Sequence, residues 1–153
     1  MTVAPDRNQP VSIANALCGV RVLVIEDVWI VAQSYVALLE NLGVIVSGPA
    51  GTVADAMRLI DTEPVDAALV DMNLDGEMAF GVVEALNARG VAVVVVTGTD
   101  VAPEFERTVS AFLSKPVRAE AVIKAFRGVT ALNRDRTTLS RAQQALPLTD
   151  NHR

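Results

Sequence analysis

The sequence is poor in charged and aromatic residues, in cysteine and in histidine. It contains one cysteine and one histidine, and aromatic residues make up only 4% of the chain. Cys18 cannot close an internal disulfide, and no histidine or carboxylate cluster lies beside it in the sequence. It therefore gives no sign of an oxidising compartment or of a thiol nucleophile. His152 lies near the end of the chain, and we assign it no role.

Positive charge is also scarce. Lysine and arginine number 13 against 18 acidic residues, which leaves a net charge of −5. A chain without a broad basic field is poorly suited to nucleic-acid binding as its main activity. No apolar run is long enough to span a membrane, and Met1 to Pro10 lack the apolar centre of a signal peptide. We therefore expect a cytoplasmic protein that uses neither nucleic acid nor a membrane as a partner.

Aliphatic residues dominate what is present. Half of the 153 residues are hydrophobic, and with so few aromatics the core must be built from valine, alanine, leucine and isoleucine. This composition favours a valine-rich parallel sheet covered by helices. The length suggests one domain. We expect a flexible lead-in at residues 1–19, a folded domain at 20–132 and a tail at 133–153 that extends the last helix for a few turns before it frays.

Short apolar runs alternate with segments of helical periodicity along the domain. Five strands are predicted at Val20–Ile25, Val44–Ser47, Ala67–Val70, Val91–Val96 and Ala111–Ser114. Helices are predicted at Val28–Leu42, Val53–Asp61, Phe80–Ala88 and Arg118–Leu132, with two or three turns at most within 101–110. We expect Thr52 to cap the second helix and residues 48–51 to form a turn. The alternation predicts an α/β fold with an open, doubly wound parallel sheet. We expect the flavodoxin-like strand order 2-1-3-4-5, in which the first and third strands are neighbours at the switch point.

Polar side chains follow four of these strands. Glu26 and Asp27 come after the first, Asp71 after the third, Thr97 after the fourth and Lys115 after the fifth. Because the carboxyl ends of parallel strands share one edge, these residues should meet in one cleft. Three carboxylates at close range repel one another. A magnesium ion would relieve the repulsion, since it prefers oxygen ligands and is commonly held by one or two carboxylates together with phosphoryl oxygens.

Thr97 and Lys115 suit a phosphoryl group. A hydroxyl donor and an ammonium can neutralise its oxygens, and Asp71 could attack phosphorus to form an acyl phosphate. Taken singly, Asp71 could merely open a turn, Thr97 could cap a strand and Lys115 could be a solvated strand end. Their joint placement at one sheet edge favours the chemical interpretation.

As an ordered set, Glu26-Asp27, Asp71, Thr97-Gly98 and Lys115-Pro116 resemble the receiver domains of bacterial two-component response regulators. The resemblance covers Val20 to Leu132. It implies magnesium-dependent transfer of a phosphoryl group to Asp71 from a histidine of a histidine kinase or phosphotransfer protein. It further implies that Asp27, Asp71 and the backbone carbonyl of Asn73 hold the Mg²⁺, with Glu26 acting through a water.

The chain departs from the family pattern in two places. Asp75 stands where receivers usually have proline, and the short segment between Thr97 and Lys115 predicts a shortened fourth helix. Both features resemble the often stand-alone receivers named for a Phe-Ala-Thr-Gly run, although Val95-Val96 replace Phe-Ala here. Phe112 occupies the position of the receivers' switch aromatic, where an ordinary core role is the alternative. We expect Trp29, just past the acidic pair, to be half-buried packing or to flank the cleft or a docking partner.

The resulting expectation is a single-domain response regulator that is not an enzyme. The tail is too short for an output domain, so the signal would pass to a downstream protein partner, a homodimer or another relay protein. Two alternatives remain open. One is a degenerate receiver-like binding module that takes no phosphate. The other is a small aspartate-nucleophile phosphohydrolase, which would need an acid where this chain has Asn73.

Overall fold

The computed structural model describes residues 17–144. The predicted lead-in at 1–19 is thus described only from Leu17, whose side chain is buried in the core. His152 and the end of the predicted tail lie outside the described residues. The division into lead-in, domain and tail stays a prediction.

Five parallel strands form the central sheet, and two very short strands form a separate hairpin. In chain order the strands are β1 Arg21–Ile25, β2 Ile45–Ala50, β3 Ala67–Asp71, β4 Asn73–Leu74, β5 Glu77–Met78, β6 Ala92–Thr97 and β7 Ala111–Ser114. The sheet order is β2-β1-β3-β6-β7, and β4 pairs with β5 in antiparallel fashion. Apart from the hairpin, this is the predicted flavodoxin-like order 2-1-3-4-5.

Five helices connect and cover the strands. They are α1 Trp29–Glu40, α2 Val53–Thr62, α3 Phe80–Ala88, α4 Pro103–Glu106 and α5 Ala119–Gln144. The Thr52 side chain accepts a hydrogen bond from the backbone N–H of Asp55 at 3.1 Å, so the predicted cap of α2 is confirmed. Helix α4 is a single turn, which confirms the shortened fourth helix.

The sheet separates two cores, as a doubly wound fold requires. Ala68 and Val70 of β3 face the core that α2 and α3 cover, whereas Ala67 and Leu69 face the core that α1 and α5 cover. We call these the α2–α3 core and the α1–α5 core. Because β3 is buried on both faces, its sequence shows an unbroken apolar run rather than alternation.

Arg21 is the one charged residue inside the first apolar run. Its guanidinium pairs with Asp66 just before β3, with Nη2 3.0 Å from Oδ1, and Asp66 also accepts the backbone N–H of Arg21 at 2.9 Å. The hydrogen bond from the Arg21 guanidinium lowers the pKa of Asp66. The pair joins β1 and β3 at the end of the sheet opposite the cleft.

Two local predictions were wrong. Residues 48–50 belong to β2 rather than to a turn, and the β1–β2 pairing shifts register between Leu23 and Ile25. Gly48 makes this irregularity possible because its φ is +88°, a backbone region that other residues rarely enter. The β4–β5 hairpin was not predicted, because two-residue strands leave no periodic pattern.

The last helix and the first turn of α3 show two further features. Helix α5 continues past Leu132 to Gln144, as expected for a tail that extends the last helix by a few turns. Phe80 is exposed at the first turn of α3, while Val82, Val83 and Leu86 are buried. Its ring instead meets the Phe105 ring of α4 edge to face, with centroids 5.0 Å apart. Within residues 17–144, no helix combines the length and apolarity that a bilayer-spanning segment needs.

Candidate functional site

Asp71 lies at the carboxyl end of β3, the middle strand of the sheet. Its neighbours are β1 on one side and β6 on the other, and it is opposite Val96 in the β3–β6 pairing. The residue is buried. Strand ends at the centre of an open parallel sheet border the crevice where such folds bind ligands. The structure therefore places Asp71 where the sequence predicted it.

Glu26 and Asp27 meet Asp71 at this edge. One carboxylate oxygen from each of the three residues can be chosen so that all lie within 4.8 Å of one another. Each carboxylate also accepts a backbone N–H: Glu26 Oε1 from Val28, Asp71 Oδ1 from Asn73, and Asp27 Oδ2 from Asp75, at 3.0 to 3.1 Å. The loops after β1 and β3 thus hold the three acids together.

Glu26 is the least satisfied of the three. Its side chain is fully buried, and its Oε2 has no hydrogen-bond partner among residues 17–144. Burial raises the pKa of Glu26 to about 7; the N–H of Val28 opposes this shift and the charge of Asp71 adds to it. The unpartnered oxygen of Glu26 and the carboxylates of Asp27 and Asp71 form a set of hard oxygen ligands, which Mg²⁺ prefers. The residues present therefore fit a magnesium ion.

Lys115 supplies the positive charge of the cleft. Its Nζ donates to Asp71 Oδ2 at 2.7 Å and lies 3.6 Å from Glu26 Oε2. Partial burial works against the charged ammonium, but the hydrogen bond to Asp71 and the charges of Asp71 and Glu26 raise the pKa of Lys115 overall. The residue follows β7, and its peptide bond to Pro116 is cis. The predicted meeting of Lys115 with the acids is thus observed.

Thr97 ends β6 and is only 2% exposed. Its hydroxyl is engaged by Thr99, two residues further on. Thr97 Oγ1 accepts the Thr99 backbone N–H at 3.1 Å and lies 3.1 Å from the Thr99 hydroxyl. Thr99 was not predicted from the sequence as a partner of Thr97. The i to i+2 spacing of two threonines after a strand was the available signal, since such side chains often bond to backbone two residues away.

The two remaining predicted residues lie in different surroundings. Asn73 opens the β4–β5 hairpin, where it is exposed and its side-chain oxygen accepts the Gly76 N–H at 2.7 Å. Phe112 lies in β7 opposite Val95 and packs, partly buried, against the α2–α3 core. This position is compatible with the core role that the sequence left open. The metal-ligand role of Asn73 and the switch role of Phe112 stay predictions.

Two aromatic residues complete the surroundings of the cleft. Tyr35 of α1 was not singled out from the sequence, but burial together with the charge of Glu26 raises the pKa of its phenol. Trp29 is 68% exposed at the start of α1, so the expectation of half-buried packing was wrong. The alternative that Trp29 flanks the cleft or a docking partner stays a prediction. Val28 and Ile30 are exposed beside Trp29. An apolar surface thus borders the acidic pair.

Comparison with known proteins gives the same picture as the geometry. A family model described as the response regulator receiver domain matches residues 22–127. The solution structure of SdrG from Sphingomonas melonis Fr1 is 33% identical, with a TM-score of 0.64, and the match covers 74% of this chain and 97% of that one. No curated protein matches the chain.

Two further solved structures, below 25% identity, agree in fold. A CheY-like receiver domain from Methylobacillus flagellatus is 24% identical with a TM-score of 0.66, covering 72% of this chain and 98% of that chain. The response regulator PhyR from Brucella abortus is 22% identical with a TM-score of 0.73. That match covers 86% of this chain and 55% of PhyR, so this chain corresponds to about half of PhyR.

Proposed function

The chain belongs to the response regulator receiver family, and from this premise we propose that it accepts a phosphoryl group on Asp71 and signals through protein–protein contacts. One observation carries the proposal. The Lys115 ammonium lies 2.7 Å from an Asp71 oxygen in a cleft that also holds the carboxylates of Glu26 and Asp27. An acid, a cation and a cluster of oxygens suited to a metal ion are the components that phosphoryl transfer to a carboxylate needs.

In this proposal, the Asp71 carboxylate attacks the phosphorus of a phosphohistidine. A P–O bond forms as the P–N bond breaks, and the departing nitrogen keeps the electron pair within the neutral imidazole of the donor. The Asn73 N–H and the Lys115 ammonium hold the two Asp71 oxygens and so orient the carboxylate. Orientation and charge neutralisation are the main means by which proteins speed phosphoryl transfer.

Magnesium would be held by Asp27, Asp71 and the Asn73 carbonyl, with Glu26 acting through a water, as the family resemblance implies. Bound there, the ion supplies positive charge that neutralises the phosphoryl oxygens. Lys115 adds a second positive charge from the chain itself, and Thr97 offers a hydroxyl donor at the end of β6. In this proposal the three acids bind the cation, and Lys115 and Thr97 bind the phosphoryl group.

The partners follow from this role. The donor is a histidine kinase or a phosphotransfer protein, and the output is a downstream protein or a homodimer in the cytoplasm. A phosphohydrolase is less well supported, because the position two residues after Asp71 carries Asn73 rather than an acid able to activate water. The Asn73 amide is instead used to hold the hairpin through Gly76. We therefore propose that the protein is a signalling module and not an enzyme.

Intact mass spectrometry after incubation with acetyl phosphate and Mg²⁺ tests the proposal. We expect one added phosphoryl group that depends on magnesium and is absent from Asp71→Asn. Asp75→Asn is the matched control, because Asp75 is an exposed acid close by that uses only its backbone N–H toward the site. Failure of acetyl phosphate and of a panel of phosphorylated histidine donors would favour the degenerate-module alternative.

A further inference from the structure

The Thr97 hydroxyl makes its hydrogen bonds to one residue, Thr99. It accepts the Thr99 backbone N–H at 3.1 Å, lies 3.1 Å from the Thr99 hydroxyl and lies 3.3 Å from the Thr99 carbonyl oxygen. Among the hydrogen bonds of residues 17–144, none joins this hydroxyl to Asp71 or Lys115. A buried hydroxyl needs partners, because leaving one unsatisfied is costly. Thr99 meets that need.

We propose that Thr99 is a positioning residue that holds the Thr97 hydroxyl in the unphosphorylated arrangement, and that a phosphoryl group on Asp71 competes with Thr99 for it. This inference rests on the proposed function. A ligand shifts an equilibrium only through its different affinity for the two states. The phosphoryl group can bind the Thr97 hydroxyl only after the hydroxyl has left Thr99. The hydrogen bonds to Thr99 therefore add to the free energy that is needed to reach the phosphorylated arrangement.

The same contact ties the β6–α4 connection to the site. Thr99 begins the segment 99–102 that leads into α4, and its N–H and hydroxyl both hold to Thr97. Helix α4 and the residues after it are held to α3 instead. The Phe105 ring packs against the Phe80 ring, and the Asn87 amide donates to the Thr108 carbonyl at 2.9 Å. Release of Thr99 therefore frees the near end of the segment while the far end stays anchored.

Titration of the full chain with beryllium trifluoride, a mimic of the phosphoryl group, in the presence of Mg²⁺ tests the competition. Fluorine-19 NMR measures the bound fraction. Thr99→Val removes the hydroxyl with little change in shape, and we expect the mimic to bind about two- to tenfold more tightly, the range that one net hydrogen bond corresponds to. Thr99→Ser keeps the hydroxyl and should restore the wild-type affinity. Equal or weaker binding by Thr99→Val would overturn the proposal.

A double-mutant cycle separates positioning from a general structural effect. In a Thr97→Ala background, the hydroxyl that Thr99 holds is gone, so Thr99→Val should no longer change the affinity for the mimic. If Thr99→Val changes the affinity equally in both backgrounds, Thr99 acts on the cleft by another route and the proposal is wrong.

The rotamer of Thr97 tests the inference without any phosphoryl mimic. Scalar couplings to the Thr97 methyl group report its χ1 angle, and we expect a single rotamer in the wild type and in Thr99→Ser. Thr99→Val removes the hydroxyl contact and keeps the two backbone contacts, so we expect a larger population of a second rotamer. An unchanged rotamer population would refute the holding role of the Thr99 hydroxyl. If the wild type binds no beryllium trifluoride, the proposed phosphoacceptor function fails, and with it the competition, whereas the rotamer result still decides whether Thr99 holds Thr97.

Discussion

Glu26 shows how much of the cleft depends on one buried side chain. Its carboxyl group is fully buried with one oxygen unpartnered, and burial raises its pKa to about 7. Such a raised pKa means that the folded state binds a proton more tightly than the unfolded state does. The resulting contribution to stability is complete below the unfolded pKa of about 4.5 and is lost as pH rises through about 7.

Metal-free protein should therefore lose stability between about pH 4.5 and about pH 7, and Glu26→Gln should reduce that loss. At about pH 8 we expect the variant to be more stable than the wild type by about 1 to 3 kcal/mol, because the glutamine side chain does not ionise. Urea unfolding in a chelator at a series of pH values measures this. Glu40→Gln, at an exposed position of α1, is the control and should leave the pH dependence unchanged. An unchanged slope in Glu26→Gln would contradict the assignment.

Lys115 places a positive charge where a cation would bind. Its Nζ is 2.7 Å from Asp71 Oδ2 and 3.6 Å from Glu26 Oε2, so it partly neutralises the acids that would ligate Mg²⁺. Lys115→Met should raise the affinity for Mg²⁺ by about tenfold, since the carboxylates lose a competing charge. The same substitution should slow phosphorylation by acetyl phosphate, because the phosphoryl oxygens lose a positive partner.

Titration calorimetry with Mg²⁺ and the time course of intact mass measure the two effects of Lys115→Met. Lys124→Met is the matched control, because Lys124 is the only other lysine and is exposed on α5. It should change neither quantity. Weaker Mg²⁺ binding by Lys115→Met would mean that Lys115 mainly keeps the acids in place rather than competing with the cation.

At the scale of elements, the end of β2 depends on one glycine. Gly48 has a φ of +88°, and a Cβ there would lie 2.8 Å from the Val24 carbonyl oxygen and 2.9 Å from the Ala50 nitrogen. Both neighbours are backbone atoms of paired strands and cannot move aside easily. Gly48 therefore fixes the irregular β1–β2 pairing that immediately precedes Glu26, whose N–H bonds to the Ala50 carbonyl at 2.9 Å.

Gly48→Ala should destabilise the fold by at least about 2 kcal/mol, since it combines a strained φ with a backbone clash. Gly81→Ala is the matched control. A Cβ at Gly81 meets nothing within 4 Å, and the residue lies in α3, so this substitution should be neutral or stabilising by up to about 1 kcal/mol. Chemical unfolding of both variants measures the difference. Equal stabilities would show that β2 can rearrange around residue 48.

At the scale of the whole molecule, one sheet joins two cores that share no side chains. Val83 of α3 is buried in the α2–α3 core, and Val122 of α5 is buried in the α1–α5 core. Both cores border the same five strands, so we expect the two cores to unfold together as one cooperative unit. Val83 and Val122 nevertheless lie on opposite faces of the sheet and do not contact each other.

Val83→Ala and Val122→Ala should each cost about 1 to 3 kcal/mol, as deletion of buried methyl groups does. The double variant should lose the sum of the two within about 0.5 kcal/mol and should unfold in one transition. Urea unfolding followed by circular dichroism and by Trp29 fluorescence measures this. Val28→Ala, at an exposed valine, is the control for loss of the same atoms without burial. Two separate transitions would mean that the cores unfold independently.

The sequence by itself determined the alternation of strands and helices, the short α4 and the set of residues at the carboxyl edge. Apolar runs that end in Asp71, Thr97 and Lys115 are local signals, and parallel topology then carries these ends to one edge. The helix cap at Thr52 was also predictable from a local signal, because a capping side chain bonds to a backbone N–H only two or three residues further on.

Tertiary structure alone decided which hydrogen-bond and ion-pair partners those residues have. That Glu26 Oε2 is left unpartnered while Asp71 bonds to Lys115 depends on side chains from separate strands. The exposure of Trp29 and Phe80, the hairpin after Asp71 and the pairing of Thr97 with Thr99 likewise depend on what packs beside them. Periodicity records which residues share a face of an element, whereas distances and hydrogen-bond partners across elements exist only once the chain has folded.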